Sequence, residues 1–219
     1  MSYIGLLGDV HGNFDALFKI MEAHPTVTQW FQVGDLGGEH DTYPTLPSNF
    51  QFIQGNHENW DYIRELKNTG NGSYLPNGTL RQYNASGDKF TVAVLGGNYS
   101  AKFFSKPTVS LQGSRIRHFT EEDYNELLEQ DKGLGRHGVV DIFLTHEAPS
   151  PFYKQFSDIG IPKITGVIEA IKPGIHFFGH HHMFKVLDIS GVVSVGLDYA
   201  YKSFVLYDVV DKNIRKIDL

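Results

Sequence analysis

The sequence predicts an α/β fold in which helices pack on a mainly parallel sheet. Short apolar segments typical of buried strands alternate with a segment of helical spacing along the first part of the chain. Nearly every predicted core strand is followed at once by polar residues, as expected where the strands of a parallel sheet end at a ligand-binding edge. No stretch has the composition of a linker, so we expect residues 1–219 to form one domain.

The first part of the chain is predicted to contain three strands and one helix. The three apolar runs are Tyr3 to Leu7, Trp30 to Val33 and Phe50 to Gln54. Asn13 is placed to cap a helix that Pro25 ends. The apolar residues of this helix follow helical spacing: Phe14, Leu17, Phe18 and Met21.

The second part of the chain continues with hairpin strands and further alternation. The predicted elements are the strands Thr79 to Tyr83 and Phe90 to Leu95, a helix through Leu127 and Leu128, the strand Val139 to Leu144, the helix Ile164 to Ile171 and the strand His176 to Phe178. The run Thr120-Glu121-Glu122-Asp123 resembles a capping box that opens the first of these helices. The stretch from Phe184 to Ile217 alternates and turns as expected of an antiparallel meander.

The composition is that of a soluble globular protein, with 41% hydrophobic and 20% charged residues. Its net charge of -6 argues against a general nucleic-acid binder, so nucleic acid is possible as a substrate but is not indicated by charge. The absence of cysteine excludes disulfides and thiolate metal sites. The first residues lack a signal peptide, and no apolar run approaches the ~18 residues of a membrane span. We therefore expect a cytoplasmic protein with no membrane partner.

The polar residues at the predicted strand ends are of the types that bind metal ions. The clusters are Gly8-Asp9-Val10-His11-Gly12, Gly34-Asp35, Gly55-Asn56-His57-Glu58, Thr145-His146 and Gly179-His180-His181-His182. Because the carboxyl ends of the strands meet at one edge, these residues are expected to converge there. Turn and capping residues explain any one cluster alone. They do not explain why four histidines recur at such positions.

The residue types suit borderline and hard divalent ions such as manganese, iron or zinc. Asp9 and His11 are two residues apart, and so are His180 and His182. In an extended segment, residues two apart face the same side, so each pair is expected to reach one site. Asp35 is a carboxylate that can bridge two cations. Two ions roughly 3.5–4 Å apart form a clamp for displacement at phosphorus.

The ordered motifs GDVHG, GD, GNHE, TH and GHHH resemble those of the calcineurin-like metallophosphoesterase superfamily, from position 5 to about 200. The resemblance implies a four-layer αββα sandwich of two mixed sheets flanked by helices. It implies that one metal ion is bound by Asp9, His11 and His182. It implies a second ion bound by Asn56, His146 and His180, with Asp35 bridging the two. His57 would protonate the leaving oxygen or steady the phosphoryl group.

The function implied is a phosphoesterase that hydrolyses phosphodiesters or phosphomonoesters by attack of a metal-bridging hydroxide. Two divalent cations, one hydroxide and the two carboxylates Asp9 and Asp35 leave the site positive by about one charge, which attracts a phosphorylated small molecule or nucleotide. Several aromatic residues lie after or between the motifs: Trp60, Tyr99, Phe103, Phe104, Phe152, Tyr153 and Phe156. Either core packing or a wall that stacks on bases accounts for them.

Two narrower resemblances bear on the substrate. GNHENWDYIREL, LPNGTLRQY, LGGNYS and VVDIFLTHEAP are similar to the catalytic core of RNA lariat debranching enzymes, which typically have cysteine where this chain has Asp9. A debranching-type nuclease acting on RNA is therefore an alternative.

Protein Ser/Thr phosphatases continue their second motif as GDxxDRG, whereas this chain has Gly38 and Glu39 in place of the acid and the arginine. The sequence therefore does not identify the acid that orients His57, for which Glu39 and Asp41 are candidates.

A second class of function is a non-catalytic binding module on the same fold. Such members usually lose metal ligands, whereas none is missing here. A nucleic-acid-binding protein with a structural metal fits poorly with the acidic charge.

Overall fold

The computed structural model describes residues 2–69, 73–133 and 140–219. Its elements are, in chain order, β1 (Tyr3–Leu7), α1 (Phe14–Ala23), β2 (Trp30–Gln32), β3 (Phe50–Phe52), α2 (Trp60–Thr69), β4 (Leu80–Ala85), β5 (Asp88–Leu95), α3 (Ala101–Phe104), α4 (Glu121–Gly133), β6 (Ile142–Thr145), β7 (Tyr153–Lys154), β8 (Ser157–Asp158), α5 (Pro162–Ile171), β9 (Ile175–Phe178), β10 (Lys185–Ile189), β11 (Val192–Gly196), β12 (Ser203–Asp208) and β13 (Ile214–Asp218). Two 3-10 turns, Thr108–Ser110 and Gly113–Arg117, lie between α3 and α4.

The long strands form two mixed sheets. The first has the order β13-β12-β1-β2-β3, and the second has the order β10-β11-β9-β6-β5-β4. In the first sheet β1, β2 and β3 are parallel, while β12 and β13 are antiparallel to their neighbours. In the second sheet β5, β6, β9 and β11 are parallel, and β4 and β10 are antiparallel edge strands. The expectation of two mixed sheets is confirmed.

The packing of apolar residues makes four layers. Alternate residues of each strand face opposite sides, so Leu6 enters a core between the two sheets while Leu7 packs on the opposite face of the first sheet. That outer face is covered by α1 and α2, through residues such as Leu17 and Ile63. The outer face of the second sheet packs against α4 and α5 in the same way. The αββα sandwich follows from this arrangement.

Most predicted elements are found where the sequence placed them. The side chain of Asn13 accepts a hydrogen bond from the Ala16 amide at 3.2 Å and so caps α1. At the start of α4, Thr120 and Asp123 accept hydrogen bonds from each other's amides, which is the predicted capping box. The predicted strand start at Val139 lies outside the described residues, and β6 begins at Ile142.

The predicted meander from Phe184 to Ile217 was wrong in its connectivity. The hairpin β10–β11 belongs to the second sheet, where β11 pairs in parallel with β9. The hairpin β12–β13 belongs to the first sheet, where β12 pairs with β1. The chain therefore crosses between sheets after Gly196, and local alternation cannot reveal which distant strand a hairpin joins.

His176 lies in the middle of β9 and is fully buried. The Thr145 hydroxyl donates to the Glu147 carbonyl, so its oxygen accepts from Nε2 of His176 at 2.8 Å, and Nδ1 is left to accept from the Ser194 hydroxyl at 3.2 Å. Burial lowers the pKa of His176 to about 3, because the imidazolium would lose its hydration.

His176→Gln is expected to make stability less dependent on pH in the acid range. The neutral ring contributes stability that is complete above its unfolded pKa near 6.5 and is lost as the pH falls toward the folded value. That loss is about 1.4 kcal/mol per pH unit for one proton. Urea unfolding of wild type and variant at pH 7.5, 6.0 and 5.0 measures the difference. If the free energy of unfolding changed equally with pH in both proteins, His176 would not be the buried neutral group that causes the dependence.

Candidate metal centre

Five of the loops that follow parallel strands meet where the two sheets face each other. Three of them follow β1, β2 and β3 of the first sheet, and two follow β6 and β9 of the second. Two groups of potential metal ligands result, Asp9 with His11 and His182, and Asp35 with His146 and His180. The predicted convergence is therefore observed, although across two sheets rather than along the edge of one.

The first group is compact. Nε2 of His182 lies 2.8 Å from Oδ2 of Asp9 and 3.3 Å from Nε2 of His11, which in turn is 3.6 Å from the same Asp9 oxygen. Two ring nitrogens and one carboxylate oxygen thus face a common point. Such separations suit three ligands of one divalent cation at bond lengths near 2.1 Å. The donor set therefore fits the implied ion.

The second group is built around His146, which is fully buried. Its Nδ1 lies 2.8 Å from the Val33 carbonyl, which can only accept, so Nδ1 carries a proton and Nε2 is left free to bind a metal ion. Nε2 faces Oδ1 of Asn56 at 2.9 Å and Oδ1 of Asp35 at 3.4 Å. An imidazole nitrogen, an amide oxygen and a carboxylate oxygen therefore point to one place.

Asp35 stands between the two groups. Its Oδ1 is 3.4 Å from Nε2 of His146, and its Oδ2 is 3.8 Å from Nε2 of His11. Oδ1 also accepts the amides of Asn56 at 2.6 Å and His57 at 2.7 Å, which fixes the carboxylate. The two carboxylate oxygens of Asp35 thus face different ligand groups, as those of a bridging carboxylate must.

The electrostatics favour positive charge at this point. Burial would raise the pKa of Asp9, but hydrogen bonds from His11 and His182 outweigh it and lower that pKa well below the usual range. The hydrogen bond to Asp9 raises the pKa of His11. Burial lowers the pKa of His146, yet Asp35 and Asp9 outweigh burial and raise it. The fixed carboxylates therefore attract a positive charge, which bound cations would supply.

Four of these residues have an unusual backbone. The φ angles are 47° at His11, 58° at Asp35, 67° at His180 and 52° at His182. The extended backbone expected for these pairs is therefore not observed, although Asp9 and His11 reach one ligand group, as predicted. His180 and His182 belong to different ligand groups, because the left-handed conformations turn the chain sharply between them. Such conformations in non-glycine residues cluster at functional sites.

Two positions next to candidate ligands require glycine, because side chains from other loops approach their backbone closely. A Cβ at Gly179 would lie 2.5 Å from Oδ1 of Asp9, and one at Gly34 would lie 2.5 Å from Nδ1 of His146. Gly34 also has a φ of 96°, which favours glycine. These two glycines, each directly before a candidate ligand, let the loops close on one another.

His57 is exposed at the rim of the site, with its ring centroid 5.7 Å from that of His11. Within the described residues, no carboxylate lies within ion-pair distance of the His57 ring. The carboxylate of Asp41 instead accepts the Gly38 amide at 2.7 Å. Neither Asp41 nor Glu39 is therefore seen to orient His57, and its role stays a prediction.

Glu58 is a structural residue of the site to which the sequence assigned no role. It is fully buried, and its carboxylate accepts the amides of Leu36 at 3.2 Å and Gly55 at 3.1 Å, as well as the Tyr43 hydroxyl. Burial, and then the charge of Asp35, raises the pKa of Glu58 to about 7. One side chain thereby joins the loops that carry the second and third motifs.

Glu58→Ala is expected to lower the free energy of unfolding by at least ~3 kcal/mol. The substitution leaves several buried donors without an acceptor, and each costs about 1–3 kcal/mol. Tyr43→Phe, which removes a single donor, is expected to cost less than half as much. Denaturant unfolding of both variants tests this comparison, and equal costs would show that Glu58 does not join the two loops.

Tyr199 is a second residue that the sequence did not reveal. Its ring stacks on His182 with a centroid separation of 3.9 Å and an interplanar angle of 22°, and it stacks on Tyr201 at 5.0 Å. Among the residues that the structure describes, Nδ1 of His182 has no hydrogen-bond partner. Stacking therefore orients the ring of His182, where a hydrogen bond orients the ring of His146.

Tyr199→Leu is expected to weaken the binding of Mn²⁺ by ~10–100-fold, the range for lost support of a metal ligand. Tyr199→Phe keeps the stacked ring and is expected to bind Mn²⁺ as wild type does. Calorimetric titration of chelator-treated protein measures both affinities. A Tyr199→Phe variant as weak as Tyr199→Leu would assign the effect to the hydroxyl rather than to stacking.

In an extended segment, the side chain of His181 would point away from the candidate ligands on either side of it. Its ring stacks on Phe152 at 4.7 Å and 17°, in keeping with a structural role. Its ring also falls within a third group of potential ligand atoms, with Glu147 and His180. The Glu147 carboxylate accepts from the Asn98 amide group at 3.0 Å. His181 therefore lies beside the second group rather than remote from it.

An αββα sandwich with two groups of potential metal ligands between its sheets defines the class of metallophosphoesterase folds. The chain belongs to the calcineurin-like phosphoesterase family, whose model matches residues 2–184. The resemblance noted from the motifs is thus confirmed. A search of curated proteins found no match.

Solved structures share the fold at low sequence identity. The protein TT1561 of Thermus thermophilus is 16% identical, with a TM-score of 0.71 over 99% of this chain and 98% of that one. GAP50, the anchor in the inner membrane complex of Plasmodium, is 14% identical, with a TM-score of 0.61 over 99% and 88%. A putative 5'-nucleotidase from Staphylococcus aureus is 14% identical, with a TM-score of 0.57 over 99% and 52%. At such identity the likeness concerns the fold alone. Among the described residues, no helix has the length and hydrophobicity to cross a membrane.

Proposed function

We propose that this chain is a dinuclear-metal-dependent phosphoesterase. The observation that carries the proposal is the placement of Asp35, whose two carboxylate oxygens face His11 on one side and His146 on the other. A carboxylate between two ligand groups is the arrangement that a pair of adjacent cations needs. Membership of a phosphoesterase family supports the same reaction.

Each residue has a defined part in this proposal. One ion would be held by Asp9, His11 and His182, and the other by Asn56, His146 and His180, with Asp35 shared. Bound cations would supply a water whose pKa is lowered toward about 7 and would neutralise the phosphoryl oxygens. Asn, Asp and His accept manganese, iron or zinc, and these three are the proposed metals.

His57 acts on the substrate rather than on the metal ions. It is exposed beside the ligand groups, where a bound ester would lie. We propose that its protonated ring gives a proton to the leaving oxygen or steadies the phosphoryl group. Such acid catalysis contributes ~10²–10⁴-fold. The presence of both His180 and His182 favours diesters over monoesters as substrates.

Hydrolysis of bis(p-nitrophenyl) phosphate with added Mn²⁺ tests the proposal, alongside p-nitrophenyl phosphate as the monoester. We expect turnover that a chelator abolishes and Mn²⁺ restores, faster with the diester. Metal analysis of protein purified without chelator accompanies the assay. No turnover of either ester by protein that holds two metal ions per chain would contradict the proposal.

That negative result would favour a binding module on the same fold. GAP50, a structure with the same fold, is described as an anchor. Against this reading stands the complete set of ligands, all within or beside the two compact groups. A binding module has no need to keep seven such side chains converged.

A further inference from the structure

The small hairpin β7–β8 carries the most exposed aromatic side chain near the candidate metal centre. Of the aromatic residues that follow the motifs, Trp60, Phe104 and Phe152 are buried and belong to the core. Phe156, at the tip of the hairpin, is instead fully exposed, and Tyr153 is 56% exposed. The hairpin thus holds the Phe156 ring in solvent, where it buries no apolar surface within the chain.

The base of this hairpin is fixed to the loop that carries His180 and His182. Phe152 stacks on His181 at 4.7 Å and packs edge-on against Phe178 at 5.5 Å. Asp158 closes the base by accepting from the Phe152 amide at 2.8 Å and the Ser150 hydroxyl at 2.5 Å. The tip is therefore exposed on a rigid support and not on a loose loop.

The hairpin also brings positive charge to the same side. Lys154 is exposed in β7, two residues after Phe152, whose ring stacks on His181. Lys185 lies over the Phe152 ring at 4.9 Å and donates to the Tyr153 carbonyl at 3.4 Å. Two strands of two residues rise only roughly 7 Å above this base at ~3.3 Å per residue. Phe156 and Lys154 therefore stay close to the ligand loop.

We propose that the β7–β8 hairpin is the part of the site that selects esters bearing a nucleobase. Phe156 stacks on the base, and Lys154 attracts the negative phosphodiester. An exposed aromatic ring beside a lysine is the combination that binds nucleotides without strict base preference. The occupant is a nucleotide ester rather than a second protein, because the platform adjoins the candidate metal centre and carries charge opposite to phosphate. This inference rests on the proposed phosphoesterase function.

The test compares two substrates that release the same p-nitrophenolate, namely thymidine 5'-phosphate p-nitrophenyl ester and methyl p-nitrophenyl phosphate. Phe156→Ala is expected to reduce the ratio of their kcat/KM values, nucleoside over methyl, by ~10–100-fold, as loss of one base stack predicts. The change is expected in KM. Phe156→Trp is expected to keep the ratio. Lys154→Ala is expected to lower kcat/KM severalfold for both diesters at low salt, because both carry the same negative charge, and to leave their ratio unchanged.

Two exposed residues serve as matched controls, because they lie at the ends of the strands opposite to the candidate metal centre. Val210 is exposed in the turn that follows β12, whose end pairs with Tyr3 at the start of β1. Lys89 is exposed at the start of β5. Val210→Ala and Lys89→Ala are expected to leave both the activities and their ratio unchanged.

A nucleotide-binding measurement distinguishes failure of this inference from failure of the phosphoesterase proposal. Adenosine 5'-monophosphate is titrated into Mn²⁺-loaded wild type and Phe156→Ala by calorimetry, which needs no turnover. Weaker binding by Phe156→Ala supports the platform even if neither ester is hydrolysed. Equal binding and an equal substrate ratio overturn it. A lower oligomeric state of Phe156→Ala by light scattering, with equal nucleotide binding, would instead make the hairpin an interface between copies and also overturn it.

Discussion

Asp35→Asn is expected to lower the metal content from two ions per chain to one or none and to reduce kcat by more than ~100-fold. Loss of a group that merely supports a ligand costs 10–100-fold, and Asp35 faces both ligand groups directly. Asparagine has the same shape and tolerates the left-handed backbone at this position, where φ is 58°. The fold is therefore expected to survive. Metal analysis and hydrolysis of bis(p-nitrophenyl) phosphate measure the two effects.

Asp15→Asn is the matched control, because Asp15 is exposed in the first turn of α1 and the substitution changes charge in the same way. It is expected to keep both ions and full activity. If Asp35→Asn also kept two ions per chain with wild-type turnover, Asp35 would not bridge them. The proposed mechanism would then lose its main support.

His57→Ala is expected to reduce kcat for a dinucleotide by ~10²–10⁴-fold while both metal ions stay bound. His57 is exposed and contacts the site through its ring near His11, so its removal leaves the ligand groups intact. Metal content, the folded state and steady-state kinetics are measured on the same preparation. His40→Gln, which changes another exposed histidine, is the control and is expected to have little effect.

The leaving group distinguishes the two roles of His57. A general acid matters most when the departing alkoxide needs a proton, and least for p-nitrophenolate, which leaves readily as an anion. If His57 is the acid, the loss is expected to be much larger for dinucleotides than for p-nitrophenyl esters. Equal losses would indicate that His57 steadies the phosphoryl group. Wild-type activity on both substrates would exclude either role.

The candidate ligands were predictable because each follows a strand directly in sequence. Asp9, Asp35 and His146 lie within three residues of the ends of β1, β2 and β6, so the chain itself shows which residues reach the edge. Their chemistry is also local, since aspartate and histidine are rarely placed together at several strand ends for turn geometry alone. Convergence then follows from the parallel topology.

The other parts of the site depend on contacts between residues that are distant in sequence. Tyr199 reaches His182 only because the chain crosses to the first sheet before β12, a crossing that local alternation does not reveal. Glu58 lies next to a recognised motif, but its partners Leu36 and Tyr43 come from another loop. The extended geometry predicted for pairs two apart failed because φ is positive at His11 and His182. Sequence spacing does not report φ.

The left-handed backbone at His11, His180 and His182 lowers the stability of the fold at positions that are proposed to bind metal ions. Each imidazole is held in a conformation that costs on the order of 1–3 kcal/mol, and a residue suited to that backbone, such as asparagine, would relieve it. Variants selected only for survival at high temperature are therefore expected to exchange these histidines first. Under the proposed function, the same exchange would remove metal ligands, so relatives that adapt to heat while keeping activity must gain their tolerance at other positions.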